Sequence, residues 1–142
     1  LTPILSRTHT LFINQSEMQE LTGKDFAVGA ESCLKQGCDI VAVTLGQGTN
    51  YNNSMATSYI RNFQREYVIE PSGKDTILAS DTTGAGDAFA VGFLYGLLNG
   101  KGLEECGRFG DITAQFSIIK IGARTGLPTL NELSQRYQQI YT

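Results

Sequence analysis

Glycines and acidic residues cluster at residues 81–87, where the sequence reads Asp-Thr-Thr-Gly-Ala-Gly-Asp. Gly84 and Gly86 let the backbone turn tightly and approach a ligand without a Cβ in the way. The apolar run that follows, as far as Leu98, predicts a helix, and the unpaired N–H groups and positive dipole of its first turn would point at the same place. The segment therefore predicts an anion site suited to phosphate.

Asp87 lies in the first turn of this predicted helix, where the helix dipole favours a carboxylate. A carboxylate beside a phosphate site can accept a proton from a substrate hydroxyl, which is general-base chemistry. The structural alternative is that Asp87 only caps the helix. The segment lacks the lysine of a Walker P-loop, G-x-x-x-x-G-K-[ST]. It also lacks the dinucleotide-binding motif G-x-G-x-x-G, because Phe89 stands where the third glycine would be.

The elements that position these residues follow from hydrophobic spacing. Strands are expected at residues 11–13, at 40–45 before a glycine-rich turn, and at 77–79, with two antiparallel edge strands between 51 and 69. Helices are expected from Asn14 to Gly23, at residues 25–37, from the anion site to Leu98, and at 103–119 and 130–141. Alternating strands and helices indicate an α/β fold with flanking helices and a mainly parallel sheet.

Length and charge limit the class of protein. A chain of 142 residues favours one compact domain. Its 11 basic residues are scattered among 14 acidic ones, so neither nucleic acid nor an anionic membrane is an expected partner. No apolar run reaches the roughly 20 residues of a membrane span, and we expect no secretion signal. The three cysteines and lone histidine form no zinc or disulfide pattern, so we expect a reduced, cytoplasmic setting.

Four segments resemble, in the right order, the ribokinase-like (PfkB) family of carbohydrate and nucleoside kinases. Residues 81–89 match the family signature D-T-x-G-A-G-D-x-F, and residues 14–17 match N-x-x-E. Residues 44–46 match T-x-G, and residues 122–129 match G-A followed by P-T. The resemblance implies a three-layer, Rossmann-like sheet with flanking helices. It identifies residues 1–142 as a C-terminal ATP-binding and catalytic portion, with the acceptor and lid portion outside this sequence.

The resemblance also implies roles for individual residues. Asp87 would be the catalytic base, and the N–H groups of Gly84, Ala85 and Gly86 would form the anion hole. Residues that would bind ATP and its Mg²⁺ are Asn14, Glu17, Thr44, Gly46, Gly48, Thr49, Gly86, Asp87 and Asp111. A monovalent cation such as K⁺ would lie against Asp81, Thr83, Ser117, Lys120, Gly122 and Gly126.

Two residues depart from the family pattern. Thr49 stands where a glycine is usual, and Asp111 where an asparagine near the adenine is frequent. For Asn14 and Glu17 the structural alternatives are a helix cap and a solvated acid.

The expected activity is ATP-dependent phosphorylation of a hydroxymethyl group on a small sugar. A sugar is preferred because Thr83 stands where many adenosine kinases carry asparagine. The alternatives are a nucleoside kinase and a noncatalytic nucleotide-binding or assembly module. An NAD-dependent oxidoreductase is disfavoured, since Gly46 and Gly48 are not followed by the third glycine. We expect the isolated chain to be inactive, to expose apolar surface or an unpaired strand, and to self-associate as a homo-oligomer.

Overall fold

The computed structural model describes residues 2–71, 84–119 and 126–142. They form two compact units, Leu1–Glu70 and Pro71–Thr142. The expected strand at residues 77–79 lies outside the described residues. None of the described helices is long and apolar enough to span a membrane.

The first unit is a four-stranded sheet with helices. Its elements are α1 (Thr2–Leu5), β1 (Thr10–Asn14), α2 (Gln15–Thr22), α3 (Phe26–Lys35), β2 (Ile40–Tyr51), β3 (Ser54–Arg61) and β4 (Glu66–Ile69). The strand order is β1-β2-β3-β4, with β1 and β2 parallel and the other two pairs antiparallel. The described sheet is therefore mixed, which corrects the expectation of a mainly parallel one.

Two tight turns produce the antiparallel pairs. Asn52 and Asn53 both have positive φ, 49° and 66°, and join β2 to β3 in a two-residue hairpin whose twist matches that of the strands. In the next turn, the Asn62 side chain accepts hydrogen bonds from the N–H groups of Gln64 and Arg65. Because β3 pairs on both sides, the expectation of two edge strands is wrong for β3.

Helices α2 and α3 pack together with the sheet around an apolar core. Gly29 allows the two helices to approach closely, since a Cβ there would lie 2.7 Å from the Met18 sulfur. The rings of Phe26, Tyr51 and Tyr59 pack with centroids 5.3–5.4 Å apart. The remaining core side chains are largely aliphatic or sulfur-containing: Leu5, Ile13, Ala30, Cys33, Leu34, Cys38, Val41, Val43, Leu45 and Ala56.

The second unit is helical in its described part. It contains α4 (Ala85–Leu98), α5 (Leu103–Ile119) and α6 (Leu130–Tyr141), at the bounds predicted from the sequence. Gly96 brings α4 against α5, because a Cβ there would lie 3.1 Å from the Cα of Cys106. Phe109 of α5 stacks on Tyr137 of α6 at 4.4 Å between ring centroids. Nearer the start of α4, Phe89 packs against Gly110 of α5, where a Cβ would lie 2.8 Å from the Phe89 ring.

Candidate active site

The residues at the start of α2 form a reciprocal cap. The Asn14 Oδ1 accepts a hydrogen bond from the Glu17 N–H at 2.8 Å, and the Glu17 Oε2 accepts one from the Asn14 N–H at 2.9 Å. Asn14 is therefore the helix cap of its structural alternative, whereas the Glu17 carboxylate takes part in the cap and is more than a solvated acid. Both residues are exposed, and the other carboxylate oxygen of Glu17 and the amide nitrogen of Asn14 lie outside the capping pair. Their ligand-binding role stays a prediction.

Strand β2 bulges where the sequence predicts a strand-ending turn. Thr44 pairs with Ser58 and Thr49 pairs with Ala56, so four residues of β2 oppose a single residue of β3. Gly46 and Gly48 make this possible, because they take positive φ values of 63° and 127° that other residues rarely adopt. The predicted turn is wrong, since pairing resumes after the bulge and the strand continues to the hairpin turn.

The bulge lies beside the start of α2. Thr44 is in parallel register with Asn14, and the Thr49 hydroxyl donates a hydrogen bond to the Gln15 Oε1 at 3.2 Å. The structure thus brings Asn14, Glu17 and the 44–49 segment together at the carboxyl end of β1, where its parallel pairing with β2 ends. Ligands of α/β proteins bind outside that edge of a parallel sheet. The bond made by Gln15 is absent from the sequence-based predictions, because it joins residues 34 positions apart.

The start of α4 has the features of an anion site. Gly84 is the N-cap residue with a φ of 81°, and its carbonyl accepts the first helical hydrogen bond from Ala88. The N–H groups of Ala85, Gly86 and Asp87 come before that bond and have no partner within the helix. Gly86 is exposed, and a Cβ built on it meets no described atom within 4 Å. Among the described residues, nothing blocks a ligand from the backbone at Gly86.

Asp87 presents its carboxylate in the first turn of α4. The side chain is exposed and takes part in no hydrogen bond or ion pair with the part of the chain that the structure describes. Its carboxylate therefore makes no capping bond there, which weakens the alternative of a purely structural cap. The arrangement combines a proton acceptor with N–H donors that have no partner within the helix and lie one helical turn or less away.

The remaining predicted residues lie in or near α5. Asp111 is buried, and its Oδ2 accepts a hydrogen bond from the Gln115 Nε2 at 2.9 Å, so its predicted contact with adenine stays a prediction. Ser117 is buried and lies next to Gly126, where a Cβ would be 3.1 Å from the Ser117 carbonyl oxygen. Four residues of the predicted cation site lie outside the described residues: Asp81, Thr83, Lys120 and Gly122.

A polar cluster that the sequence does not predict links three strands. The Glu66 Oε2 accepts hydrogen bonds from the Tyr59 hydroxyl at 2.6 Å and the Tyr51 hydroxyl at 3.0 Å. Burial raises the pKa of Tyr59, and the hydrogen bond to Glu66 raises it further. The cluster ties β4 to β2 and β3. Elsewhere in the described ranges, no three His, Cys, Asp or Glu side chains form a metal-binding group.

The four-stranded sheet with its flanking helices belongs to the Rossmann-like class of α/β proteins. The chain belongs to the pfkB family: the model of the pfkB family carbohydrate kinase matches residues 1–130. This confirms the resemblance inferred from the four segments.

One curated relative and two solved structures illustrate the likeness. An uncharacterized sugar kinase of Archaeoglobus fulgidus is 42% identical over 125 residues, which are 88% of this chain and 46% of that protein. The nucleoside kinase of Methanocaldococcus jannaschii has a TM-score of 0.75 at 28% identity, over 96% of this chain and 42% of that one. Arabidopsis thaliana ribokinase, complexed with ribose and ATP, has a TM-score of 0.80 at 25% identity, over 96% of this chain and 43% of that one.

These matches confirm the α/β fold with a sheet and flanking helices. The chain spans less than half the length of each of these three proteins.

Proposed function

We propose that this chain supplies the ATP-binding and catalytic part of a kinase that phosphorylates a hydroxymethyl group of a small sugar. The observation that carries the proposal is the exposed Asp87 carboxylate in the first turn of α4, beside the N–H groups of Ala85 and Gly86, which have no partner within the helix. A proton acceptor and an anion site within one turn are the two groups that phosphoryl transfer to an alcohol requires.

The mechanism rests on positioning and electrostatics. Asp87 accepts the proton of the acceptor hydroxyl as the oxygen attacks phosphorus, and the N–H groups of Gly84, Ala85 and Gly86 stabilise the negative charge that spreads over the transferred group. No covalent intermediate with the protein is needed.

The first unit contributes the nucleotide side of the proposal. Residues 44–49 would line the nucleotide, and the bond between Gln15 and Thr49 holds this bulge against the start of α2. Glu17 fits Mg²⁺, because the ion keeps several waters and takes only one or two carboxylates, and one Glu17 oxygen lies outside the cap. Mg²⁺ supplies charge neutralisation of the phosphates when it is bound. The complex of the Arabidopsis relative with ATP supports the choice of nucleotide.

Nucleoside phosphorylation is the second candidate. It is favoured by the Methanocaldococcus jannaschii nucleoside kinase, which is 29% identical over 140 residues, 98% of this chain. Sugars and nucleosides share the primary hydroxyl that Asp87 would deprotonate, so the site described does not separate them. For the isolated chain, a noncatalytic nucleotide-binding role is the third candidate.

The test is a coupled assay of ADP release with ATP and a panel of sugars and nucleosides. It uses the whole protein, meaning these residues with the sequence that flanks them in their natural gene. Faster turnover with a hexose or pentose than with any nucleoside supports a sugar kinase, and the reverse order supports the second candidate. ADP release that no acceptor stimulates would overturn both.

A further inference from the structure

The hairpin that follows the β2 bulge, residues 49–56, curls back over the sheet. Tyr51 pairs with Ser54 at one end of β3, whereas Glu66 pairs with Arg61 at the other end. In a straight strand, the seven-residue step from Ser54 to Arg61 would separate those two pairs by roughly 23 Å. The Tyr51 hydroxyl nevertheless donates a hydrogen bond to the Glu66 Oε2 at 3.0 Å. The hairpin therefore bends sharply, as expected beyond a bulge, which increases the local twist of its strand.

The ring of Tyr51 shows which face of the sheet the hairpin covers. Its centroid lies 5.4 Å from that of Phe26 on α3 and 5.4 Å from that of Tyr59 on β3. Both partners belong to the apolar core of the first unit, so the hairpin folds over the side of the sheet on which α3 packs. Its second arm returns across the bulge, because a Cβ at Gly48 would lie 2.6 Å from the Met55 sulfur. All of these contacts lie within the first unit.

Few bonds hold the hairpin to the rest of the sheet. Beyond the bulge, β2 pairs with β3 through three residues: Thr49, Asn50 and Tyr51. Strand β4 pairs with β3 from Ser58 onward, so among the described residues it gives the hairpin no ladder hydrogen bond. Side chains hold the hairpin to other elements instead, since the Thr49 hydroxyl bonds to Gln15 of α2 and the Tyr51 hydroxyl bonds to Glu66 of β4. A segment with so few partners opens more easily than the core of the sheet.

We infer that Tyr51 and Glu66 are positioning residues, which hold the 44–49 segment in the shape that binds the nucleotide. Glu66 is a suitable anchor, because β4 pairs with β3 before the bulge and its position does not depend on the hairpin. Gly46 and Gly48 are the flexible points, since glycine adopts many backbone conformations at little steric cost. The hydrogen bond from Tyr51 limits how far these two glycines let the hairpin move. The positioning role rests on the proposed function, whereas the attachment of the hairpin does not.

The two tyrosines provide a matched pair of variants, because both donate a hydrogen bond to the same oxygen of Glu66. Tyr59 is fully buried and pairs with Val43 before the bulge, so its hydroxyl joins β3 to β4 without reaching the hairpin. Tyr51 lies in the hairpin itself. Loss of the Tyr59 hydroxyl should lower the stability of the whole first unit, and loss of the Tyr51 hydroxyl should loosen the hairpin.

Hydrogen exchange followed by mass spectrometry measures this loosening in the whole protein without nucleotide. We expect the amides of residues 49–56 to exchange about tenfold faster in Tyr51→Phe, because a hydrogen bond to a charged group is lost. Tyr59→Phe should leave the exchange of this hairpin unchanged. Glu66→Ala is a second variant, which removes the acceptor and should match Tyr51→Phe. Its control is Glu20→Ala, which changes an exposed carboxylate of α2 and should behave as the unaltered protein.

Calorimetric titration with ATP measures the consequence for the nucleotide. We expect Kd to rise about threefold in Tyr51→Phe and Glu66→Ala, because apparent affinity falls with the fraction of protein in the binding-competent shape. Kd should be unchanged in Tyr59→Phe. In the turnover assay, KM for ATP should rise in Tyr51→Phe with kcat unchanged, as expected for a residue that does not touch the transferred group.

Hairpin exchange that is unchanged in Tyr51→Phe, or that rises equally in Tyr59→Phe, would leave the cluster a structural role only and overturn the inference. Faster exchange in Tyr51→Phe with an unchanged affinity for ATP would overturn the positioning role as well. Neither of these results would touch the proposed function. If the unaltered protein bound no ATP, the proposed function and the positioning role would both fail, while the exchange rates would still report how the hairpin is held.

Discussion

Asp87 is where the proposed chemistry is most directly testable. Asp87→Asn keeps the shape of the side chain and removes the proton acceptor. In the whole protein we expect kcat to fall by at least about a hundredfold with little change in ATP affinity, since general-base catalysis contributes this much. The matched control is Asp39→Asn, which changes an exposed aspartate of the first unit. Near-normal turnover by Asp87→Asn would remove this residue from the mechanism.

Gly86 tests whether the backbone approaches phosphate. A Cβ at this position meets no described atom, so Gly86→Val should leave the fold intact while its side chain occupies the space in front of the N–H groups. We expect ATP affinity, measured by calorimetric titration, and turnover both to fall by at least about tenfold.

Gly102→Val is the control for Gly86→Val. It also changes a glycine beside a helix start, where a Cβ has equal room. Unchanged ATP affinity in Gly86→Val would place the anion hole elsewhere.

At the scale of elements, the link between α2 and the β2 bulge can be broken without touching the reacting groups. Gln15→Ala removes the acceptor of the Thr49 hydroxyl. We expect KM for ATP to rise about fivefold with kcat unchanged, since one such hydrogen bond contributes about 1 kcal/mol. Gln19→Ala is the control on an exposed position of the same helix. A kcat effect as large as the KM effect would contradict a positioning role.

The cluster of Tyr51, Tyr59 and Glu66 makes the stability of the sheet fall as the pH becomes alkaline. Because the folded-state pKa of Tyr59 is raised above its ordinary value of 10.0, the unfolded chain loses this proton first as the pH rises. Stability from Tyr59 is therefore fully present below about pH 10 and is lost above it. Burial also raises the pKa of three thiols above their ordinary value of 9.0: Cys33, Cys38 and Cys106. Stability from these thiols is therefore also lost as the pH rises.

Urea unfolding at pH 8 to 11 measures this dependence. We expect Tyr59→Phe to be less stable at neutral pH, because its hydrogen bond to Glu66 is lost, and to show a shallower decline above pH 10. An unchanged slope in Tyr59→Phe would assign the alkaline loss to other groups.

At the scale of the whole molecule, local patterns predict more than long-range contacts do. The bounds of α5 and α6 follow from spacing within each segment, and both agree with the structure. The strand pairing depends instead on the Asn52–Asn53 turn, and the bulge of β2 depends on two glycines that could equally have ended the strand. Glu66 lies 7 and 15 residues from its two tyrosine partners, so no local pattern reveals the cluster.

The candidate site also combines features that short segments predict with contacts that depend on long-range pairing. The N-cap role of Asn14 and the helix start at Gly84 are properties of short segments, and the sequence predicts both. The bond between Gln15 and Thr49 depends on the parallel register of β1 and β2, which hydrophobic spacing does not specify. Functional roles within the site depend on ligands and stay predictions.

The 142 residues should behave differently as an isolated chain. We expect it to fold and to bind ATP weakly through the start of α4, yet to transfer no phosphate to any sugar or nucleoside at a useful rate. The chain spans less than half of the relatives compared, and the Asp87 side chain is exposed. An acceptor there is neither positioned for attack nor shielded from water, which removes the largest gains in rate. The assay compares acceptor-dependent ADP release by the isolated chain and by the whole protein, with Asp87→Asn as the blank for each and circular dichroism as the check on folding. Comparable rates would show that the flanking polypeptide is dispensable for phosphoryl transfer.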